Sequence, residues 1–147
     1  MALNRDRMLT IKIHEEAMEL CGIIKDVDYN GFMESEIIRR AICMTLLNIG
    51  ELQQKLSDDY KRKHGAIPWA AIRTTRNVIA HEYDNVDWDI IWNVSTVEIK
   101  ELAGILEGIL KAYDAEEGPF DIELTHQKNI KALEDAEAAY EEENEDE

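Results

Sequence analysis

Apolar residues recur every three or four positions along most of this chain, the spacing that gathers them on one face of an α-helix. From Met8 to Val27 the set Ile13, Ala17, Leu20, Cys21, Ile24 and Val27 predicts a first helix, which Asp28, Tyr29, Asn30 and Gly31 then break. Ile38, Ile42, Thr45, Ile49, Leu52 and Leu56 step by four and three and predict a long second helix ending towards Ser57, Asp58 and Asp59. A polar connector with Lys61, Arg62, Lys63, His64 and Gly65 follows. Pro68 suits the first turn of a third helix, where its missing N–H is no loss, and Trp69, Ile72, Arg76 and Ile79 share one side of it. Asp84 to Asp87 interrupt the pattern, and Asp87 is a natural N-cap for a fourth helix that runs through Trp88, Ile91, Trp92, Ser95, Ile99, Leu102, Leu106, Ile109 and Tyr113. Beyond Gly118-Pro119 apolar residues are sparse, which suggests a charged fifth helix fraying into Glu141–Glu147.

The expected fold is therefore all-α. Residues 1–113 form an up-and-down bundle of four core helices, and residues 114–147 form an acidic extension, helical or disordered. Two prolines and seven glycines in 147 residues leave long helices uninterrupted, and that length suffices for one core without staples.

Charge sharpens the division. A net charge of −16 opposes binding to nucleic acid, but residues 114–147 hold 14 acidic residues against Lys128 and Lys131, a balance of −12. The preceding residues hold 18 acidic and 14 basic side chains, a balance of −4, so the body can still present a basic surface. Cys21 and Cys43 fall among apolar neighbours and read as buried, reduced thiols. Asn4, Arg5, Asp6 and Arg7 stand where an apolar leader would begin, and no apolar run approaches about 18 residues. The expectation is a cytoplasmic protein with no membrane association.

The chemistry concentrates in Arg73-Thr-Thr-Arg76-Asn77-Val-Ile-Ala-His81-Glu-Tyr83. On a regular helix Arg73, Asn77 and His81 line one stripe, while Arg76 and Tyr83 line another. Arg76 and His81 then lie about 140° apart. They converge only if the helix ends near His81, or if a two-fold dimer supplies a second copy. No carboxylate and histidine cluster has metal-ligand spacing, and no cofactor is indicated. Histidine can move a proton at a ribose oxygen, and arginine's fork matches phosphate oxygens, so the pair suits transesterification of RNA. The plain alternative is a surface pair that only caps and packs the third helix.

The string Arg76-Asn77-x-x-x-His81-x-Tyr83 resembles the R-x4-6-H motif of HEPN domains, in the R-x4-H-x-Y form of HepT toxins. Gly50-Glu51 resembles the pair that closes the second helix in those proteins, Ile67-Pro68-Trp69 the opening of the third, and Val86-Asp87 with Trp92 the start of the fourth. The resemblance covers roughly residues 5–113 and implies a HEPN-like bundle acting as a homodimeric, metal-independent RNase toxin. It implies Arg76 and His81 as the catalytic pair, Asn77 as a supporting polar group, and Tyr83 as the residue adenylylated by a cognate minimal nucleotidyltransferase antitoxin. An added AMP would place a phosphate near Arg76, where that of the substrate should sit. The acidic extension has no counterpart in that pattern. A second reading makes the chain a non-catalytic partner whose Tyr83 accepts the nucleotide.

Arg39, Arg40, Lys61, Arg62, Lys63 and Arg73 are candidates for an RNA-contacting rim, with a salt-bridged surface as the alternative. His64 reads as exposed, His14 and His126 carry no assigned role, and Trp69, Trp88 and Trp92 read as core or dimer interface. The acidic extension reads as a solvated segment, or as a nucleic-acid mimic that folds onto the basic rim.

Overall fold

The computed structural model describes the backbone of residues 2–145, and the side chains in that range except those of 2–4, 122–126, 128–129 and 142–145. His126, Asp146 and Glu147 therefore lie outside the described side chains. The described residues are helical throughout their regular structure, with no strand. Contacts divide the chain into Met1–Ala112 and Tyr113–Glu147.

In the first unit, α1 (Ala2–Ile24) and α5 (Trp69–His81) both pack on a central α3 (Glu36–Gln54). The reason lies in the repeat: Leu9, Ile13, Ala17, Leu20 and Ile24 of α1 are all buried, as are Ile42, Cys43, Leu46 and Ile49 of α3. The fourth expected helix begins at α6 (Trp88–Asn93), and its N-cap is Asp87, whose carboxylate accepts from the N–H groups of Asp89 and Ile90. It continues as α7 (Ile99–Glu117), but a π-turn over Val94–Glu98 separates the two. There the hydroxyls of Ser95 and Thr96 each donate, over 2.7 Å, to the carbonyl four residues back. Such back-bonding offers the carbonyls a second partner at the point where the ladder widens. The π-turn leaves Ser95, Ile99, Leu102 and Leu106 facing inward.

Two elements differ from the sequence expectation. Asp28 begins a helix as well as breaking one, since its carboxylate caps α2 (Tyr29–Glu34) by accepting from Gly31 N–H at 2.7 Å. Phe32 of α2 is fully buried against Trp88 and Trp92, which makes these tryptophans half-buried core residues. The polar connector is likewise a capped helix, α4 (Asp58–Lys63), with Ser57 as N-cap. Pro68 sits at the N-cap of α5, one position before the helix proper, and its carbonyl accepts from Ile72. His64 is not simply exposed. It closes α4 half-buried with its ring tilted against Tyr60, centres 4.5 Å apart, and burial, then Lys63, lower its pKa.

A polar pin fixes α4. The Asp6 carboxylate, buried in α1, accepts from Ser57 N–H at 2.9 Å and from its hydroxyl at 2.6 Å. Thr10 and Tyr60 share a further bond of 2.6 Å, and Trp69 donates to the Lys61 carbonyl. Asp6→Ala strands the N–H and hydroxyl of Ser57 and is expected to cost about 1–3 kcal/mol, read as a lower urea midpoint. An unchanged midpoint would show that the pin contributes nothing.

Both cysteines are free, Cys43 buried and Cys21 half-buried. Burial pushes the Cys43 thiol up to about 11, against a smaller opposing pull from Arg39. The neutral thiol is favoured in the fold, so this contribution to stability is complete below the ordinary thiol range and is lost as pH rises through about 11. Alkylation of folded protein near neutral pH should mark Cys21 well before Cys43; equal rates would contradict the burial.

In the second unit, Gly118 adopts a positive φ of 78° that a side chain would resist, and α8 (Ile122–Glu145) follows. The helix runs through Glu141 to Glu145 and does not fray at Glu141. No helix among the described residues is long and apolar enough to cross a membrane.

Candidate active site

The expected inward side of α5 holds: Ile79 is buried, Trp69 and Ile72 are half-buried, and so is Arg76. Arg76 meets α3 where that helix carries Gly50 and Glu51. The approach is so close that a Cβ on Gly50 would stand 2.4 Å from both Cβ and Cγ of Arg76. A glycine is required there for lack of room, not for backbone freedom. Over this gap the Arg76 guanidinium reaches Glu51. Its Nε donates to Oε1 at 2.7 Å, and Nη2 donates to the same oxygen. From the other flank Nη1 donates to Asn77 Oδ1 at 3.0 Å.

Asn77 belongs to the outward stripe with Arg73 and His81, and all three are exposed. The amide therefore joins the inward arginine to the outward face. His81 is the last residue of α5, with Glu82 as C-cap. The imidazole has no hydrogen-bond or ion-pair partner among the described residues. Among those residues, too, no group of three His, Cys, Asp or Glu side chains is placed to hold a metal ion.

Tyr83 lies beyond the helix, in a 3-10 turn over Tyr83–Asn85, so its helical projection with Arg76 does not apply. Its half-buried ring packs edge-on against Trp88 at 5.6 Å, and the Arg40 guanidinium lies 5.3 Å over its centre. Burial, then Cys43, raise the phenol's pKa, while Arg40 pulls it back. Arg40 is in turn paired with Glu36 on the same helix.

The six candidate rim cations separate. Arg39 is half-buried, donates to the carbonyls of Phe32 and Met33, and lies 5.2 Å over Trp88, so it fastens α2 rather than standing on a rim. Arg62 pairs with Asp59 on the surface, Lys61 is half-buried, and Lys63 and Arg73 are exposed. Exposed pairs such as Arg62–Asp59 and Arg40–Glu36 contribute little and open readily to a phosphate.

Sequence reasoning noted Gly50-Glu51 only as part of a motif and missed its contact with Arg76. The signal was weak, since a lone glycine and acid late in a helix have many causes. Helical phase adds one clue. Ile37, Arg40, Met44 and Glu51 share a face of α3, and Ile37 and Met44 are 82% and 58% exposed there.

An all-helical bundle whose Arg-Asn-x-x-x-His segment closes its third long helix is the arrangement expected of the HEPN class. The chain belongs to the family described as Ribonuclease HepT-like, whose profile matches residues 13–109. Curated relatives agree. The chain is 29% identical over 90 residues to "Putative RNase MJ1380" of Methanocaldococcus jannaschii, covering 61% of this chain and 83% of that one. It is 31% identical over 99 residues to "Putative RNase TTE0752" of Caldanaerobacter subterraneus subsp. tengcongensis, covering 67% and 88%. It is 29% identical over 97 residues to "Probable ribonuclease HepT" of Thermococcus cleftensis, covering 65% and 88%. No solved structure gives a significant match. The family match stops short of residues 114–147, so the acidic extension lies outside it.

Proposed function

We propose that this protein is a metal-independent endoribonuclease that cuts RNA by attack of a ribose 2′-OH on the adjacent phosphate. The observation that carries the reading is the held Arg76 guanidinium five residues before an exposed His81 at the end of α5. A 2′-oxygen forms a bond to phosphorus and the 5′-oxygen leaves, so one proton must be removed and one supplied. Histidine does either near neutral pH. Arginine stays charged and offsets the negative charge growing on the phosphoryl oxygens.

The reading includes a homodimer. Ile37 and Met44 expose apolar surface on the α3 face that also carries Arg40 and Glu51, and a second copy would cover it. A two-fold axis near α5 would bring two His81 imidazoles to one substrate, one to take a proton and one to give it. The reading also includes a toxin role in a prokaryotic cytoplasm, paired with a nucleotidyltransferase antitoxin that adenylylates Tyr83. Arg40 over that ring supports the site, because the phosphate of an added AMP would meet a cation. The same observation favours the second reading, an acceptor subunit with no RNase activity.

Protein made without a nucleotidyltransferase, incubated with mixed cellular RNA in EDTA, tests this directly. The expected products carry 2′,3′-cyclic phosphate ends. Absence of cleavage, together with AMP transfer to wild type but not to Tyr83→Phe, would establish the acceptor reading instead.

A further inference from the structure

We propose that Glu51 is a positioning residue for Arg76, holding the guanidinium so that its remaining N–H groups form a fork for one phosphate of RNA. The proposal rests on the ribonuclease reading above and assigns that site a third working side chain.

Arginine carries five N–H groups. Three are engaged here, by Nε and Nη2 on Glu51 and by Nη1 on Asn77, which leaves two. Nη1 and Nη2 each bear two hydrogens and each uses one, so the two left over belong one to each terminal nitrogen. That is the pairing with which a guanidinium grips two oxygens of a single phosphate. Glu51 on α3 and Asn77 on α5 thus hold three of the five N–H groups, and each terminal nitrogen keeps one for phosphate. Gly50 completes the cradle by letting the arginine stem lie against α3 with no Cβ between them.

A carboxylate beside a phosphate-binding arginine has two opposed effects. It repels RNA, which weakens binding, and it removes the rotational freedom of a long side chain, which favours the reacting geometry. Exposure decides the balance. The Glu51 side chain is 48% exposed, so water screens its repulsion, while Arg76 is only 22% exposed and its position is set by its contacts. Removing the charge should therefore slow turnover without weakening binding. A merely structural glutamate would not produce that split.

The test is single-site cleavage kinetics on the full chain for wild type, Glu51→Gln, Glu51→Asp, Arg76→Lys and Glu51→Gln with Arg76→Lys. Glu51→Gln should lower kcat by roughly 10- to 100-fold, with KM unchanged or lower. Glu51→Asp should recover part of the loss. The double variant should be no worse than Arg76→Lys alone, because Glu51 acts only through that arginine. In a nitrogen NMR spectrum the Arg76 Nε–H signal should stand apart in wild type and collapse towards the exposed arginines in Glu51→Gln.

Wild type that cuts RNA while Glu51→Gln matches its kcat would overturn the proposal alone. So would a loss in Glu51→Gln accompanied by an equal rise in KM and a lowered melting temperature, which would mark a structural role. Wild type that cuts no RNA would overturn the ribonuclease reading, and this proposal with it.

Discussion

Alanine at His81 should reduce RNA cleavage by roughly 10²- to 10⁴-fold, the usual contribution of a positioned acid or base. The fold should not notice. His81 is exposed at the last position of α5 and has no partner among the described residues, so the stability change should stay within about 0.5 kcal/mol. Arg76→Ala should lower activity to a similar degree. Its effect on stability is larger but bounded, since Glu51 loses its partner yet remains solvated at 48% exposure. Parallel melting curves and initial rates check both variants. If either retains more than about a tenth of wild-type activity, the pair does not carry the reaction.

Gly50→Ala is expected to do what most glycine substitutions in a helix do not. In a helix interior, alanine for glycine is ordinarily a gain of about 1 kcal/mol. Here the new methyl would stand 2.4 Å from Cβ and Cγ of Arg76, atoms near the backbone that cannot swing aside as a side-chain tip can. Either α5 moves from α3 or the arginine leaves its cradle. Overpacking of this kind costs about 1–3 kcal/mol, enough to cancel the helical gain or exceed it. The displaced guanidinium would lose its aim, and a misplacement of about 1 Å can cost on the order of 10²-fold in rate. Thus Gly50→Ala should lose activity out of proportion to its stability. A more stable, fully active Gly50→Ala would show that the close approach is not needed.

The long elements were legible because burial and periodicity coincide in them. The steps from Ile13 to Ile24 and from Ile42 to Ile49 reach the core as the spacing requires, and Asp87 caps the helix it was expected to cap. The two helices α2 and α4 were not legible, because each has six residues, too few for a periodic pattern to develop. Their caps, Asp28 and Ser57, use the same residue types that mark turns. The π-turn at Val94–Glu98 leaves no trace in the apolar spacing, since it lies inside a continuous helical run.

The candidate site was legible in its members but not in its wiring. Arg76, Asn77 and His81 stand together in sequence, and helical phase separated the inward arginine from the outward amide and imidazole. What phase could not supply was the partner 25 residues away, because α3 and α5 meet through a gap that only the fold reveals. Nor could it foresee that Tyr83 leaves the helix and turns its ring towards Trp88 and Arg40, or that Arg39 is drawn in to hold α2.

The most direct measurement takes an RNA oligonucleotide that the protein cuts at one position and compares it with the same oligonucleotide carrying a 2′-deoxyribose there, both in EDTA. The ribose form should be cut to a 2′,3′-cyclic phosphate, and the deoxy form should survive intact because the attacking oxygen is gone. Cleavage of the deoxy form at the same bond, or cleavage only when a divalent cation is restored, would contradict 2′-OH attack driven by Arg76 and His81.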